Sequence, residues 1–284
     1  IVWKSEIEGR FEPDFYKPSI ATLEQKIRSL SSKRLRSYAQ SFAGGATPSK
    51  RESEKYYSES ETGIPFLRVQ NLQTNGELSL NECIYINEET HNGLLKRSQV
   101  SEGDLLVKIT GVGRMAIASV APKDFVGNTN QHMVVIKTGN SAVSKYLAHY
   151  LNLDIIEKIA SRHSTGGTRP ALDYHSLKNI PIIEGLDFSI IDNAIKAKKS
   201  KEVEAQQLLD SIDGYLLKEL GINIPEVKAN IGNRIFIVQR SELKGRYTPS
   251  LYKDSISLYS TIYDNIPLSH LAYINPNTRI SYLN

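Results

Sequence analysis

Residues 100–136 read VSEGDLLVKITGVGRMAIASVAPKDFVGNTNQHMVVI. Three short apolar runs, at 105–109, 117–120 and 133–136, are separated by segments rich in glycine, asparagine and aspartate. Runs of this length between turn-forming residues are typical of β-strands. The stretch therefore predicts three strands joined by polar loops.

The flanking sequence extends this pattern into a complete domain over residues 1–184. Short apolar runs predict further strands, and apolar residues at spacings of three and four predict helices. We expect an α/β (α+β) domain with a mixed or antiparallel sheet. Its further predicted elements are a helical or mixed segment at 21–38, strands at 66–69 and 83–86, helices at 144–161 and near 172–177, and a strand at 180–183.

A long amphipathic helix is predicted within 185–222. From Ser189 to Leu220 there is no proline, and Gly221 and Pro225 supply a stop signal. Such a coiled-coil-type helix is about 45 Å long and needs a partner for its apolar stripe. A structural or dimerisation rod explains the helix as well as a spacer between two binding heads does. The residues of the stripe, predicted to form a subunit interface, are Ile191, Ile195, Val203, Leu209, Ile212, Leu216 and Leu220.

The opening of the chain recurs near its end. Residues 1–20 and 237–256 share 11 identical residues at a constant offset, too many for chance. A period of this length does not suit a solenoid, whose repeats run to a few tens of residues. We expect a linker at 223–236, then the start of a second, similar and incomplete domain at 237–284. A duplicated domain would give the molecule two similar binding faces.

Composition narrows the range of possible functions but does not identify one. The chain carries 35 Lys and Arg against 31 Asp and Glu, and its net charge of +4 fits a nucleic-acid binder without requiring one. The single cysteine, Cys83, excludes a disulfide framework and a cysteine-based zinc cage, and it fits a reducing compartment. No apolar stretch approaches the ~20 residues that span a bilayer.

Four polar loops, numbered first to fourth in chain order, lie at 68–71, 108–114, 127–132 and 163–169 and carry the side chains that proteins use to read DNA bases. Arginine suits guanine, asparagine and glutamine suit adenine, and threonine and glycine allow close contact with phosphates. Each loop alone fits an ordinary turn better than a DNA contact, but four of them after strand ends in one domain point to a DNA surface. The candidate base or groove contacts are Gln70, Asn71, Arg114, Asn130, Gln131, Thr168 and Arg169, and the candidate phosphate contacts are Lys96, Arg97, Lys108 and Arg162. Further candidate DNA-binding residues are Arg68, Thr110, His163 and Thr165.

The motifs of nucleotide-dependent and nucleic-acid-modifying enzymes are missing or incomplete. The chain has neither a G-x-G-x-x-G nor a G-x-x-x-x-G-K-[ST] phosphate loop. Asn275 begins only a poor echo of an adenine-methyltransferase motif, and Asp104 with Lys108 gives only half of a nuclease metal site. The six histidines show no metal-ligand spacing. We therefore predict no catalytic residues and no metal.

The pattern resembles the specificity subunit of type I restriction-modification systems. The resemblance covers nearly the whole chain in the family's order, although each motif is loose. It depends on the segments GIPFLRVQNL at 63–72, VSEGDLL at 100–106, NTNQ at 128–131, GGT at 166–168, LKNIPI at 177–182 and EAQQLL at 204–209.

The resemblance implies a prokaryotic cytoplasmic subunit that catalyses nothing itself. Each target-recognition domain would read one half of a bipartite DNA sequence, and the long helix would dock methyltransferase subunits. Restriction-translocase subunits would join them, and S-adenosylmethionine, ATP and Mg²⁺ would bind to these partners. The second recognition domain is incomplete in this sequence, so we expect recognition of one half-site unless two copies pair through the helix.

Two other interpretations stay open at this stage. The chain fits the recognition portion of a fused restriction-methylation enzyme, and it also fits an assembly scaffold with no DNA contact. Retention on duplex DNA that weakens steeply with salt separates a DNA reader from a scaffold.

Overall fold

The computed structural model describes residues 13–221 and 239–242. The chain divides into two units, Ile1–Ile195 and Lys196–Asn284. The repeat at 1–20 and 237–256, the linker at 223–236 and the second domain at 237–284 fall almost entirely outside the described residues. These three expectations therefore stay predictions.

The first unit is built around two sheets. One has the strand order β1-β9-β6-β7 and is antiparallel throughout, and the other has the order β2-β4-β3-β8-β5 with β3 and β8 parallel. The mixed or antiparallel fold class is thus confirmed, with two sheets in place of one. The strands are β1 (Ser41–Gly44), β2 (Tyr57–Ser58), β3 (Ile64–Leu67), β4 (Ile84–Ile86), β5 (Gln99–Ser101), β6 (Leu105–Lys108), β7 (Ala118–Val120), β8 (Val126–Thr129) and β9 (Met133–Lys137).

Helices precede, interrupt and follow the strands. Short 3₁₀ turns connect several elements, among them Leu35–Tyr38, Val69–Asn71 and Lys96–Ser98. The α-helices are α1 (Pro18–Leu30), α2 (Ser53–Tyr56), α3 (Glu88–Asn92), α4 (Ser141–Leu151), α5 (Asp154–His163), α6 (Tyr174–Lys178) and α7 (Ser189–Glu219).

The central strands β6 and β9 are buried on both faces, which explains their unbroken apolar sequence. Leu105 of β6 belongs to a core shared with Leu147 of α4 and Ile159 of α5. Leu106 points the other way and belongs to a second core with Leu67 of the other sheet. Because successive strand residues face opposite sides, a strand between two cores has no polar alternation. The antiparallel sheet therefore lies between the helices and the mixed sheet.

The positions of the buried strands were predicted well from the sequence, whereas the interruption of the longer helical segment was not predicted. Strands at 66–69, 83–86, 105–109, 117–120 and 133–136 are confirmed within a few residues. The helical character expected over 144–161 is confirmed, but it divides into two helices, because α4 ends at Leu151 and α5 starts at Asp154. The backbone leaves helical geometry at Leu153, where ψ is 138°. The neighbouring Asn152 is bonded to β7: its amide donates to Ala118 O at 2.7 Å, and its Oδ1 accepts from Ala118 N at 3.0 Å.

Two other expected elements take different forms. The helical or mixed segment at 21–38 is α1 followed by a separate 3₁₀ turn. The strand expected at 180–183 is reduced to an isolated bridge between Arg34 and Pro181.

The long helix is confirmed as α7, 31 residues from Ser189 to Glu219. Its length is about 46 Å at 1.5 Å per residue. Polar pairs such as Lys201 with Glu204, at 2.7 Å, line part of its surface. Among the described residues, no helix is long and apolar enough to cross a membrane.

The apolar stripe of α7 lies largely on the surface. Ile191 and Ile195 are half-buried, and the five stripe residues beyond them are exposed. Their exposed fractions are Val203 58%, Leu209 62%, Ile212 49%, Leu216 47% and Leu220 38%.

Candidate nucleic-acid interface

Loops from both sheets meet at one edge of the first unit. β1 and β6 each run antiparallel to β9, so Gly44 and Lys108, at the ends of these strands, lie beside the start of β9. β8 ends at Thr129 and leads directly into the loop before β9. We call this surface the loop edge and define it as residues 45–48, 110–114, 130–132 and 165–170.

Hydrogen bonds tie these four segments to one another. Gly111 N donates to Pro170 O at 3.0 Å, and an isolated bridge joins Thr110 to Ala171. Ile109 N donates to His132 O at 2.9 Å. The Thr47 hydroxyl donates to Oε1 of Gln131. The loop edge is therefore a connected surface.

Glycine is required where the first segment crosses the third. A Cβ added to Gly45 would lie 2.0 Å from Thr129 O and 2.3 Å from Asn130 O, and both are backbone atoms. No side chain fits in that space. Gly45 thus lets segment 45–48 pack directly against segment 130–132.

Most of the sequence-predicted groove contacts from the third and fourth loops lie at this edge. Gln131, Thr165, Thr168 and Arg169 are exposed there, and Thr110 is half-buried. These side chains present donors, acceptors and a guanidinium in one place, which is the chemistry that base edges in the major groove require. That they contact DNA stays a prediction.

His132 and Arg169 belong to the same electrostatic environment. Burial lowers the pKa of His132, and the positive charge of Arg169 lowers it further. A lowered pKa favours the neutral imidazole at physiological pH, with one donor and one acceptor nitrogen. His132 can therefore offer a hydrogen bond at the loop edge without adding charge.

Two predicted phosphate contacts flank the loop edge on the side of the mixed sheet. Lys96 and Arg97 are exposed in the 3₁₀ turn before β5, whose Gln99 pairs with Asn128 of β8. Arg97 lies close enough to Tyr174 to counteract the rise in the tyrosine pKa that burial causes. A Cβ added to Gly44 would lie 2.2 Å from the Tyr174 hydroxyl, so Tyr174 also borders this edge.

The first loop contributes less than its composition suggests. Gln70 is exposed, whereas Arg68 is half-buried and donates to Glu82 O at 2.9 Å. Asn71 is fully buried: it accepts from Arg68 N at 2.8 Å and donates to Ser79 O at 2.9 Å. In this structure Asn71 holds the turn and has no exposed atom for a base.

Lys108 and Asn130 also differ from the sequence-based expectation. Lys108 is 3% exposed, and its ammonium donates to Val112 O at 2.8 Å. Burial lowers the pKa of this lysine. Asn130 is 7% exposed and accepts from His132 N at 3.1 Å. Both side chains stabilise loops from beneath, so they are positioning residues and not surface contacts.

Three further candidates are held in ion pairs. Arg114 binds Asp154 at 2.5 Å and also donates to Asn152 O, which fixes it against the start of α5. Arg162 and His163 point away from the loop edge toward α1, where they bind the buried carboxylate of Glu24. These side chains are therefore engaged within the domain, and their predicted contact with DNA stays a prediction.

The carboxylate of Glu24 joins α1 to α5. Its oxygens lie 2.6 Å from Arg28, 2.7 Å from Arg162 and 2.9 Å from His163. Burial alone raises the pKa of Glu24, but hydrogen bonds and charge from His163 and Arg28 lower it more, to about 2. Glu24 is therefore ionised at neutral pH and neutralises a local excess of positive charge.

Sequence reasoning missed four residues at or beside the loop edge. Thr47, Val112 and His132 lie within it, and Tyr174 borders it. Val112 and His132 stand in loops that the sequence singled out, and Tyr174 follows such a loop. Their proximity depends on strand pairing between distant segments, for which the sequence carries no local signal. In the described part of the chain, no group of three His, Cys, Asp or Glu side chains is placed to hold a metal ion.

The comparison with curated proteins returns no match. The type IIG restriction endonuclease BpuSI is 12% identical, with a TM-score of 0.49, over 65% of this chain and 28% of its own. The HsdS subunit from Thermoanaerobacter tengcongensis is 12% identical, with a TM-score of 0.35, over 69% of this chain and 46% of its own. A type I restriction-modification S subunit from M. genitalium is 12% identical, with a TM-score of 0.36, over 66% of this chain and 42% of its own.

This chain spans less than half the length of each of those three structures. The sequence model of the type I restriction modification DNA specificity domain matches residues 31–183, which is more than half of the chain and includes both sheets and the loop edge. The chain therefore belongs to the type I restriction modification DNA specificity domain family.

Proposed function

We propose that this chain is the DNA-recognition subunit of a type I restriction-modification complex and reads duplex DNA with its loop edge. The observation that carries the proposal is the convergence of four segments, distant in sequence, on one surface, where three of them expose polar side chains. Loops held by a rigid sheet are where binding residues concentrate. The family assignment supplies the nucleic-acid partner.

The side chains divide into two roles. The guanidinium of Arg169 suits guanine in the major groove, and the side-chain amide of Gln131 suits adenine. Lys96 and Arg97, which flank the loop edge, are exposed cations suited to phosphate oxygens. The first pair would set sequence preference, and the second would supply affinity that weakens with salt.

We further propose that α7 connects this reader to its partners. Exposed apolar residues repeat from Val203 to Leu220, over about 26 Å at the C-terminal end of the helix, and a single helix cannot bury its own stripe. The occupants that suit the family are methyltransferase subunits and the matching helix of a second head, with restriction-translocase subunits joining the assembly. A second head would read the other half of a bipartite target, at a distance set by the helix.

The chain itself would catalyse nothing under this proposal. S-adenosylmethionine, ATP and Mg²⁺ would be bound by the partner subunits, and adenine methylation would take place there. The part played by this chain is to place those subunits at a chosen sequence.

The test is selection of sequences by the full chain from a random duplex library, at low and at moderate salt. We expect one enriched motif, and retention that falls steeply as salt rises. Arg169→Ala should relax the motif at one position, whereas Arg36→Ala, an exposed arginine on the 3₁₀ turn before β1, should leave it intact. Retention without an enriched motif, or no retention, would contradict the proposal, and the second result would support a scaffold.

A further inference from the structure

We propose that Val112 is an apolar base contact that packs against the 5-methyl group of a thymine, and that buried Lys108 positions it. This inference rests on the proposed DNA-reading function and deepens it. It adds a specificity-determining side chain to a surface that sequence reasoning described only through its polar residues.

Val112 stands at the tip of the loop between β6 and β7. Its exposed fraction is 77%, and it lies between Gly111 at φ 120° and Gly113 at φ 80°. A Cβ added to Gly113 would meet no atom within 4 Å, so the space beside the valine is open. A single exposed apolar residue is ordinary on a protein surface. The significance of Val112 therefore depends on how firmly its loop is held.

The loop is fixed from several directions. The ammonium of Lys108 donates to Val112 O at 2.8 Å from a side chain that is 3% exposed. Gly111 N donates to Pro170 O at 3.0 Å, and Arg114 is bound to Asp154 at 2.5 Å. Ala116, just beyond, adopts a positive φ of 53°.

These features have an energetic cost, because burying an ammonium and placing alanine at positive φ are both unfavourable. The folded domain tolerates that cost and gains no packing from the valine. A strained, well-bonded loop that presents one unpacked side chain is typical of a preorganised contact.

The surroundings of Val112 indicate what it contacts. Its loop is bonded to the loop that carries Arg169 and pairs beside the loop that carries Gln131. Those two residues have the chemistry of major-groove readers. The 5-methyl of thymine is the apolar group that base pairs present in that groove, and small apolar side chains recognise it. A valine among polar readers therefore fits a thymine.

The experiment replaces single thymines with uracil in the selected duplex, which removes only the methyl group. With the wild-type full chain, we expect one position to lose about fourfold in affinity, the equivalent of one buried methyl group. With Val112→Ala, the same substitution should change affinity by less than twofold. The four measurements form a double-mutant cycle that isolates the valine–methyl contact.

Lys108→Met separates positioning from phosphate contact. Methionine keeps the buried stem and removes the ammonium, so the loop loses its bond to Val112 O. We expect the thymine-specific loss to disappear while the dependence of affinity on salt stays at the wild-type slope. A phosphate contact would instead weaken all sequences alike and reduce that slope by about 1.

The outcomes distinguish this inference from the proposed function. If the wild-type chain enriches no motif, the proposed function fails. If it enriches a motif but no uracil substitution weakens binding, or Val112→Ala retains the full loss, the inference fails and the proposed function stands. Should Lys108→Met not fold, the uracil scan with the wild type and Val112→Ala still decides the question.

Discussion

The joint between α1 and α5 gives the sharpest prediction about stability. Glu24, whose side chain is 4% exposed, accepts hydrogen bonds from Arg28, Arg162 and His163. The side chain of Arg162 is itself only 10% exposed, and it also donates to Phe15 O at 2.6 Å. Glu24→Gln keeps the shape of the side chain and removes its charge, which leaves a nearly buried guanidinium without its counter-ion.

Two arguments give similar magnitudes for this change. Removing one partner of a buried ion pair costs about 3–5 kcal/mol, because the other charge stays buried. Independently, a pKa lowered from 4.5 to about 2, at about 1.4 kcal/mol for each pH unit, corresponds to about 3 kcal/mol. We therefore expect Glu24→Gln to lower the free energy of unfolding by about 3 kcal/mol at pH 7.

The pH dependence has a definite sign. Because folding lowers the pKa of Glu24, its contribution is complete above about pH 4.5 and is lost as the pH falls toward 2. Urea unfolding of wild type and Glu24→Gln between pH 7 and pH 3 measures this difference. Asp154→Asn is the matched control: this carboxylate also pairs with an arginine, but it is 83% exposed, and its effect should be much smaller. A Glu24→Gln effect below about 1 kcal/mol at pH 7, or one that does not shrink in acid, would refute this reasoning.

Three further predictions concern binding. Arg169→Ala should cost about 1–3 kcal/mol in affinity for the selected duplex and relax one base position, as titration against single-position variants would show; equal loss for every sequence would count against base reading. Lys96→Ala should weaken all sequences alike and reduce the slope of log affinity against log salt by about 1, measured between 50 and 200 mM salt. Leu209→Asp, on an exposed part of α7, should leave unfolding of the chain nearly unchanged but abolish co-sedimentation with partner subunits or a second copy; retained association would remove this face from the interface.

Sequence alone was sufficient for the elements whose burial is complete. β6 and β9 contact a core on each face, so their apolar runs have only one interpretation. β8 was missed and assigned to a loop because its residues, VGNT, look like a turn. The sequence could not show that Asn128 binds His91 at 2.5 Å and Leu95 O at 2.8 Å, contacts that make a polar residue suitable for a buried strand.

At the candidate site, too, some features were predictable from the sequence and others were not. The loops around Val112 and Arg169 were located correctly because polar, glycine-containing segments tend to reach the surface, whereas part of the third predicted loop is the buried strand β8. Which side chains face outward was not predictable, because the partners that hold polar residues inward often lie far away in the sequence. Arg162 finds its partner, Glu24, 138 residues away. Composition identifies the residue types of a binding surface, and only tertiary pairing shows which copies remain exposed.

The separation of exposed contact residues from buried residues that hold the loops has a physical basis in what a surface needs in order to discriminate between bases. Flexible loops must be ordered on binding, and that cost reduces the free energy available to distinguish one base from another. Asn71, Lys108 and Asn130 reduce it in advance by bonding the loop backbones from beneath. Lysine therefore occurs in both layers: Lys108 is buried beneath the loop edge, and Lys96 is exposed beside it. Changes in the outer layer, at Gln131 or Arg169, should alter sequence preference without altering stability, whereas changes in the inner layer should reduce both together.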